Sequence, residues 1–305
     1  MSAGTEVSVA GRTIEVSNLD KVYFPAESGS TSSITKGDVV DYYERIADAM
    51  LPHVAGRPLV LQRFPDGIDE FGFYQKNTPD HVPDWMGRVE MDTADGGVTR
   101  YSVIDDAAGL VYLANQGAIV FHTLLAGADA PVRPVEVIFD LDPSSDDLDP
   151  VQAAAKELRD VLDDLALAPR VKSSGSRGLH IVVDVTDDDA DFDLTRSFAR
   201  RVAEMVSERG DFTLEHRKAK RQGRLFLDIG RNAPASHAAA PYSLRPIPGA
   251  PVAAPLDWDE ALASSFHPQR ITLTNVFRRL AQKLDPWTGA PTPRSTIAAA
   301  LDAIG

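Results

Sequence analysis

The run Pro134–Asp142, PVEVIFDLD, is mostly apolar and then ends in two acids, Asp140 and Asp142, with Leu141 between them. Such a run reads as a strand. Its two-residue period puts both carboxylates on one face, Cα atoms roughly 7 Å apart, and sends Leu141 to the other face. Two carboxylates held this way repel unless a cation lies between them, and hard divalent cations take such oxygen ligands. The same pattern also fits a solvated strand end running into the acidic loop of Asp146, Asp147 and Asp149. A second apolar strand, Arg224–Ile229, carries Asp228 at its end. Beside the first two acids it would complete a site for one or two ions; a pair ~3.5–4 Å apart clamps the attacking and leaving oxygens of a phosphoryl displacement. Read alone, Asp228 equally fits an acid capping a turn.

The loop Ser173-Ser174-Gly175-Ser176-Arg177-Gly178-Leu179-His180 leads into a strand ending at Val185. Small residues let successive backbone N–H groups converge on an anion, and hydroxyls with a guanidinium add charge-assisted donors. It is not a P-loop, because no Gly-Lys-Ser/Thr opens a helix after it. An ordinary Ser/Gly turn remains the alternative. His122 and His180 follow or enter apolar runs, where structural histidines are common. Arg221 and Arg245 carry the fork that suits phosphate, although a plain surface role is open to both.

The elements around these residues alternate loosely between strand and helix. The patterns predict a strand pair over Glu6–Val16, a helix over Gly37–Met50 capped by Thr35, and a strand over Arg57–Phe64 before the turn Pro65-Asp66-Gly67. Asp106 caps a helix over Ala107–Asn115, and Ala118–His122 is a short buried run. Asp149-Pro150 starts a helix reaching Leu165. Asp193 is the expected cap of a helix over Leu194–Glu208, and a late helix spans Thr274–Leu284. The fold class is therefore mixed, α/β or α+β.

Composition narrows the function classes. The chain has 305 residues and no cysteine, which removes disulfide frameworks, Cys-ligated metals and thiol catalysis. Charges at Glu6, Arg12, Glu15 and Asp20 argue against a signal peptide. The most apolar stretch, Ala107–Ala126, is broken by Asn115, Gln116 and His122 and is too polar to span a bilayer. A soluble, cytoplasmic protein is expected. The formal charge of −14 weighs against a non-specific nucleic-acid binder. Yet the charge is uneven: acids crowd Asp184–Asp193, while Arg217, Lys218, Lys220, Arg221 and Arg224 follow one another with no acid among them.

Taken in order, a set of short stretches resembles the polymerase domain of bacterial DNA ligase D, within the archaeo-eukaryotic primase superfamily, which serves non-homologous end joining. They are Ser17-Asn18-Leu19-Asp20-Lys21 with Tyr23-Phe24-Pro25, Thr35-Lys36-Gly37-Asp38, Arg57-Pro58-Leu59, Arg63-Phe64-Pro65-Asp66-Gly67, and Phe73-Tyr74-Gln75-Lys76. Further on come Val120-Phe121-His122, Val137–Pro143, the Ser174–His180 loop, Gly223–Asp228 with Asn232, Pro241–Arg245, and Pro255-Leu256-Asp257-Trp258. The likeness runs over nearly the whole chain.

The resemblance implies an α+β primase fold in one domain: an N-terminal α/β module to about residue 125, an RRM-like antiparallel catalytic module over 126–260, and a helical tail over 261–305. It implies Asp140, Asp142 and Asp228 as catalytic metal ligands for Mn²⁺ or Mg²⁺ in a two-metal site. It implies nucleotide contacts from Ser174, Arg177, His180, Arg221 and Arg245, with His122 near the sugar. Asn18, Lys21 and Lys36 match positions that hold a 5′-phosphate at a DNA break, and Arg63, Phe73, Tyr74 and Lys76 match template contacts. The implied reaction is in-line attack of a primer 3′-OH on the α-phosphate of an NTP or dNTP, with ribonucleotides preferred. The expected substrates are gaps, overhangs and double-strand breaks, met at the nucleoid. A Ku-like end binder and a separate ligase are the expected partners, since no Lys-x-Asp-Gly motif is present, and no membrane is involved. Arg177 stands where relatives carry a loop lysine, Gln62 where some carry a lysine, and His237-Ala238-Ala239 where others are more polar. The competing classes are a metal-dependent nuclease or phosphohydrolase, a non-catalytic DNA-end binding module, and a nucleotide-sugar transferase.

Overall fold

Alternating polar and apolar residues make the first element a hairpin, Thr5–Val9 against Arg12–Val16, turned at Ala10-Gly11 with φ of 49° and 76°. Two successive left-handed residues match the right-handed twist of the paired strands. The computed structural model describes residues 4–26, 32–93, 96–143 and 145–305. Its contacts divide the chain into two units, one of Met1–Leu124, Ala239–Ala253 and Ile271–Arg279, the other of Leu125–Ala238, Ala254–Arg270 and Leu280–Gly305. The expected boundaries lie near 125 and 260; in the structure the segments 239–253 and 271–279 return to the first unit.

In the first unit the helix read over Gly37–Met50 is two, Lys36–Arg45 and Ala47–Val54, with Ile46 between them. Thr35 and Asp38 form a reciprocal capping box at the start. Strand Leu59–Arg63 pairs antiparallel with Ala118–Leu124, with Phe73–Gln75 and, at Leu59, with Val98–Val103. The hairpin Gly87–Asp92/Val98–Val103 extends the sheet. Asp106 caps Ala107–Asn115 through the amide of Gly109. Buried hydroxyls tie in the returning segment: Tyr42 donates to the carbonyl of Tyr242, and Ser243 accepts from the amide of Phe121.

The second unit is built on a six-stranded sheet, ordered Phe212–Thr213, Leu225–Asp228, Glu136–Asp142, Leu179–Asp184, Arg170–Ser173, Pro255–Leu256. All pairings are antiparallel except the first, which is parallel. Helices Asp149–Asp164 and Phe192–Ser207 pack on each other and on one face of it. They bury Ala154, Leu158 and Val161, and Phe198, Val202 and Val206, against an interior that includes Leu141, Leu227 and Ile181. One face is thereby committed to apolar packing, and the alternate residues carry the polar chemistry on the other. This is the RRM-like α+β arrangement.

The acid run is taken up locally. Asp184 pairs with Arg170. Asp187 accepts from the amides of Ile297 and Ala298, capping the helix Ile297–Ile304. Asp191 caps Phe192–Ser207 through the amide of Leu194. The expected cap, Asp193, lies inside that helix, because Phe192 is already helical and buried. The late helix is also shorter than read, Val276–Gln282. Among the described residues, no helix is long and apolar enough to cross a membrane.

Candidate active site

Antiparallel pairing brings one transverse row of side chains onto the open face of the second unit's sheet. Lys172 is the cross-strand partner of His180, His180 of Asp140, and Asp140 of Asp228. Residues directly opposite on one face have Cβ atoms about 4.5–5.5 Å apart. Asp142, two residues beyond Asp140, faces Phe226 and stands diagonally from Asp228. All three acids therefore share a face. Burial pushes the carboxyl of Asp140 up to about 6, with Arg231 and Lys172 opposing the rise and the charges of Asp228 and Asp142 adding to it.

The acids are held by their neighbours. Asp140 Oδ1 lies 3.5 Å from His180 Nε2, and Asp140 Oδ2 lies 3.4 Å from Arg231. Asp228 Oδ1 accepts from the amide of Gly230 at 2.8 Å. Among the described residues, no three acid or histidine side chains are drawn into the spacing of one ion. The donor set nonetheless fits a hard divalent cation: three carboxylates on one face, one of them raised first by burial and then by the charge of the other two. Asn232 fixes the strand end. Its side-chain amide accepts from the amide of Ile138 and donates to the carbonyl of Ile138, both at 2.9 Å or less, continuing the ladder past Asp228. That turn brings Arg231 to Asp140.

The loop after Arg170–Ser173 differs from expectation. Its amides do converge, from Ser176, Arg177 and Gly178, but on the hydroxyl oxygen of Ser174, at 3.1–3.2 Å. Arg177 donates to the carbonyl of Pro143. A Cβ on Gly178 would stand 1.9 Å from the carbonyl oxygen of Leu141, so only glycine lets the loop pass this close to the acidic strand. Arg221 is buried, donates to the carbonyls of Glu215 and His216, lies over the Phe226 ring, and comes within 3.9 Å of Asp142.

In the first unit, Asn18, Lys21 and Lys36 come together. Lys36 Nζ donates to the carbonyl of Ser17 at 2.7 Å, and Lys21 Nζ to Asp66 at 2.7 Å. The amide of Lys36 meets the carbonyl of Lys21, and the amide of Lys21 that of Asn18. Burial first, and then the charge of Lys21, hold the Lys36 ammonium down to about 8. Arg63 and Phe73 are cross-strand partners, as are Gln62 and Tyr74, and the Tyr74 ring lies 5.7 Å from that of His122. Lys76 is exposed just beyond this strand. Arg245, also of this unit, meets the carbonyl of Pro251 through its own amide.

Comparison with known proteins decides the family. The family described as LigD, primase-polymerase domain, matches residues 35–287. The chain belongs to the LigD primase-polymerase domain family. It is 33% identical over 289 residues to the multifunctional non-homologous end joining DNA repair protein LigD of Mycobacterium tuberculosis, covering 91% of this chain and 37% of that protein. It is 30% identical to the bifunctional non-homologous end joining protein LigD of Bacillus subtilis, covering 90% of this chain and 43% of that one. The chain thus spans about two fifths of these relatives. A solved polymerase domain from Mycobacterium tuberculosis ligase D, in complex with DNA, superposes with a TM-score of 0.82 at 30% identity, over 91% of this chain and 97% of that one.

Against this family background, three residues escaped the sequence reading. Lys172 sits in the row beside His180, 2% exposed. Arg231 lies 3.4 Å from Asp140. Phe71, 80% exposed, stacks on Phe73. A buried lysine in a strand too short to show alternation gives little signal.

Proposed function

We propose that this LigD-type polymerase domain is a template-directed nucleotidyltransferase that extends a primer strand at gaps and ends of broken DNA, as in non-homologous end joining. The observation that carries the reading is the cross-strand register of Asp140 with Asp228, with Asp142 on the same face. Asp140, Asp142 and Asp228 are the residues to hold Mn²⁺ or Mg²⁺, which when bound lowers the pKa of a primer hydroxyl and stabilises the departing pyrophosphate. His180 and Arg231 orient the Asp140 carboxylate by flanking its two oxygens. Arg221, anchored by two carbonyls, offers its remaining guanidinium edge beside Asp142 to a triphosphate oxygen. Ser174 and Arg177 shape the loop on the same side. For His122 and Arg245, in the first unit, the nucleotide role rests on the family likeness alone.

The first unit supplies the DNA contacts in this reading. Lys21 and Lys36 form a two-cation cradle for a 5′-phosphate, with Asn18 at its turn. The buried position of Lys36 disfavours its charge until an anion arrives. Arg63, Phe73, Tyr74 and Lys76 present stacking faces and cations to a template strand. A Ku-like end binder and a ligase acting on the extended product are the partners this chemistry calls for, and ribonucleotides with Mn²⁺ are its expected preference.

The test is primer extension on a gapped, 5′-phosphorylated template, with rNTP or dNTP, in Mn²⁺ or Mg²⁺. Lengthened primer with the wild type and none with Asp228→Ala is the expected result. Shortened strands would make the protein a nuclease using the same acids. Extension by Asp228→Ala would remove the proposed ligand set.

A further inference from the structure

The second unit carries a basic surface that the reaction just described does not use. Arg196 and Arg200 stand one turn apart on the helix Phe192–Ser207, both exposed. At this spacing two side chains lie side by side, and like charges so placed destabilise a helix. Neither guanidinium has a hydrogen-bond or ion-pair partner among the described residues, although Asp193 and Glu204 lie on the same helix. The neighbouring Arg201, by contrast, is engaged by Glu204 and by the carbonyl of Ile304.

The two arginines line a hollow of about 110 Å³ together with His216, Leu214, Leu227, Ile229 and Gly230. Leu214 in its wall directly follows Phe212–Thr213, the edge strand of the sheet, which among the described residues pairs with Leu225 and Phe226. Leu227 and Ile229 alternate with Asp228, so the hollow lies on the other side of the strand from that carboxylate. Beyond His216 the chain continues through Arg217, Lys218 and Lys220, all exposed, with no acid in the stretch. In a chain of net charge −14 this is a concentrated patch of opposite sign.

We propose that Arg196, Arg200 and His216 form a phosphate-binding hollow that holds the backbone of the nucleic acid as it passes the edge of the catalytic sheet. The proposal rests on the polymerase reading and adds an anchoring surface to it. Two arginines with no ion-pair partner among the described residues line one small hollow. The strip from Arg217 to Lys220 continues the cationic track, which a chain of phosphates can follow and a single free phosphate does not need.

The test is binding of gapped DNA by fluorescence anisotropy over a range of salt, for wild type, R196Q/R200Q, and K156Q as a control for loss of a cation outside the patch. Each phosphate contact contributes about 0.7–0.9 to the slope of log affinity against log salt. The double variant should lower that slope by about 1.5, and K156Q should leave it unchanged. An unchanged slope in the double variant overturns the proposal. A rise in melting temperature with inorganic phosphate, seen in wild type and absent from the variant but with the DNA slope unchanged, would make the hollow a free-phosphate site and also overturn it. If the wild type neither binds nor extends DNA, the polymerase reading fails and the nucleic-acid assignment falls with it.

Discussion

Asp140 and Asp228, far apart in the chain, are direct partners across an antiparallel strand pair, with His180 opposite Asp140 on its other side. Placing acid beside acid on a sheet is destabilising in itself. The arrangement persists here because Arg231 and His180 flank Asp140 and because the strands' other faces are buried under two helices.

The cost should be measurable. A carboxyl whose pKa rises from 3.8 unfolded to about 6 folded is easier to protonate in the native state. Stability from this group is complete below pH 3.8, declines as pH rises through about 6, and is lost above. The penalty at pH 8 is on the order of 2–3 kcal/mol. Asp140→Asn should therefore raise the melting temperature at pH 8 in metal-free buffer, with the gain shrinking towards pH 4, while nucleotide addition is abolished. Equal melting of the two proteins at pH 8 would contradict this account.

Lys172 opposes the rise in the Asp140 pKa. Replacing it with methionine, which keeps the length and removes the charge, should move that pKa above 6. In metal-free buffer the midpoint of the Asp140 titration should lie at higher pH in Lys172→Met than in the wild type. Carboxyl NMR titration of both proteins reads this directly, and an unmoved midpoint would argue against any electrostatic role for Lys172.

The Lys36 ammonium must be charged to hold a 5′-phosphate, and it sits at about 8 when free. Preference for a phosphorylated over an unphosphorylated gap should fall as pH rises from 7 to 9. The bound anion lifts the pKa, so the loss is gradual. Lys36→Met should remove the pH dependence along with roughly 1–3 kcal/mol of the preference. Competition binding at several pH values separates these outcomes.

Asn232 satisfies both backbone groups of Ile138 in place of a strand neighbour. Asn232→Leu should leave a buried N–H and C=O without partners, at about 2–4 kcal/mol, and loosen the turn that carries Arg231. Denaturant unfolding gives the first effect, and a drop in nucleotide addition larger than the stability loss explains gives the second.

Much of the site was legible without coordinates, and the reasons differ by residue. Asp140 and Asp142 share a face because the strand period is two, a local rule needing only six residues of context. Asp106 and Thr35 were readable as caps because a cap bonds within its own first turn. Asp187 was not, since it caps a helix more than a hundred residues later through the amides of Ile297 and Ala298. Likewise the Ser174 loop read as an anion cradle by composition, but whether its amides face an anion or the Ser174 hydroxyl depends on the loop's fold.

The amino-acid order alone determined which acids lie at strand ends, which residues match the LigD primase-polymerase family, and that no thiol chemistry is available. Tertiary structure decided that Asp228 stands opposite Asp140, that Lys172 and His180 complete the row, and that Arg231 turns back onto it. Periodicity is a property of a single strand. Register depends on the packing of both partners and on the connections that deliver them, and a slip of one residue would send Asp228 to the buried face.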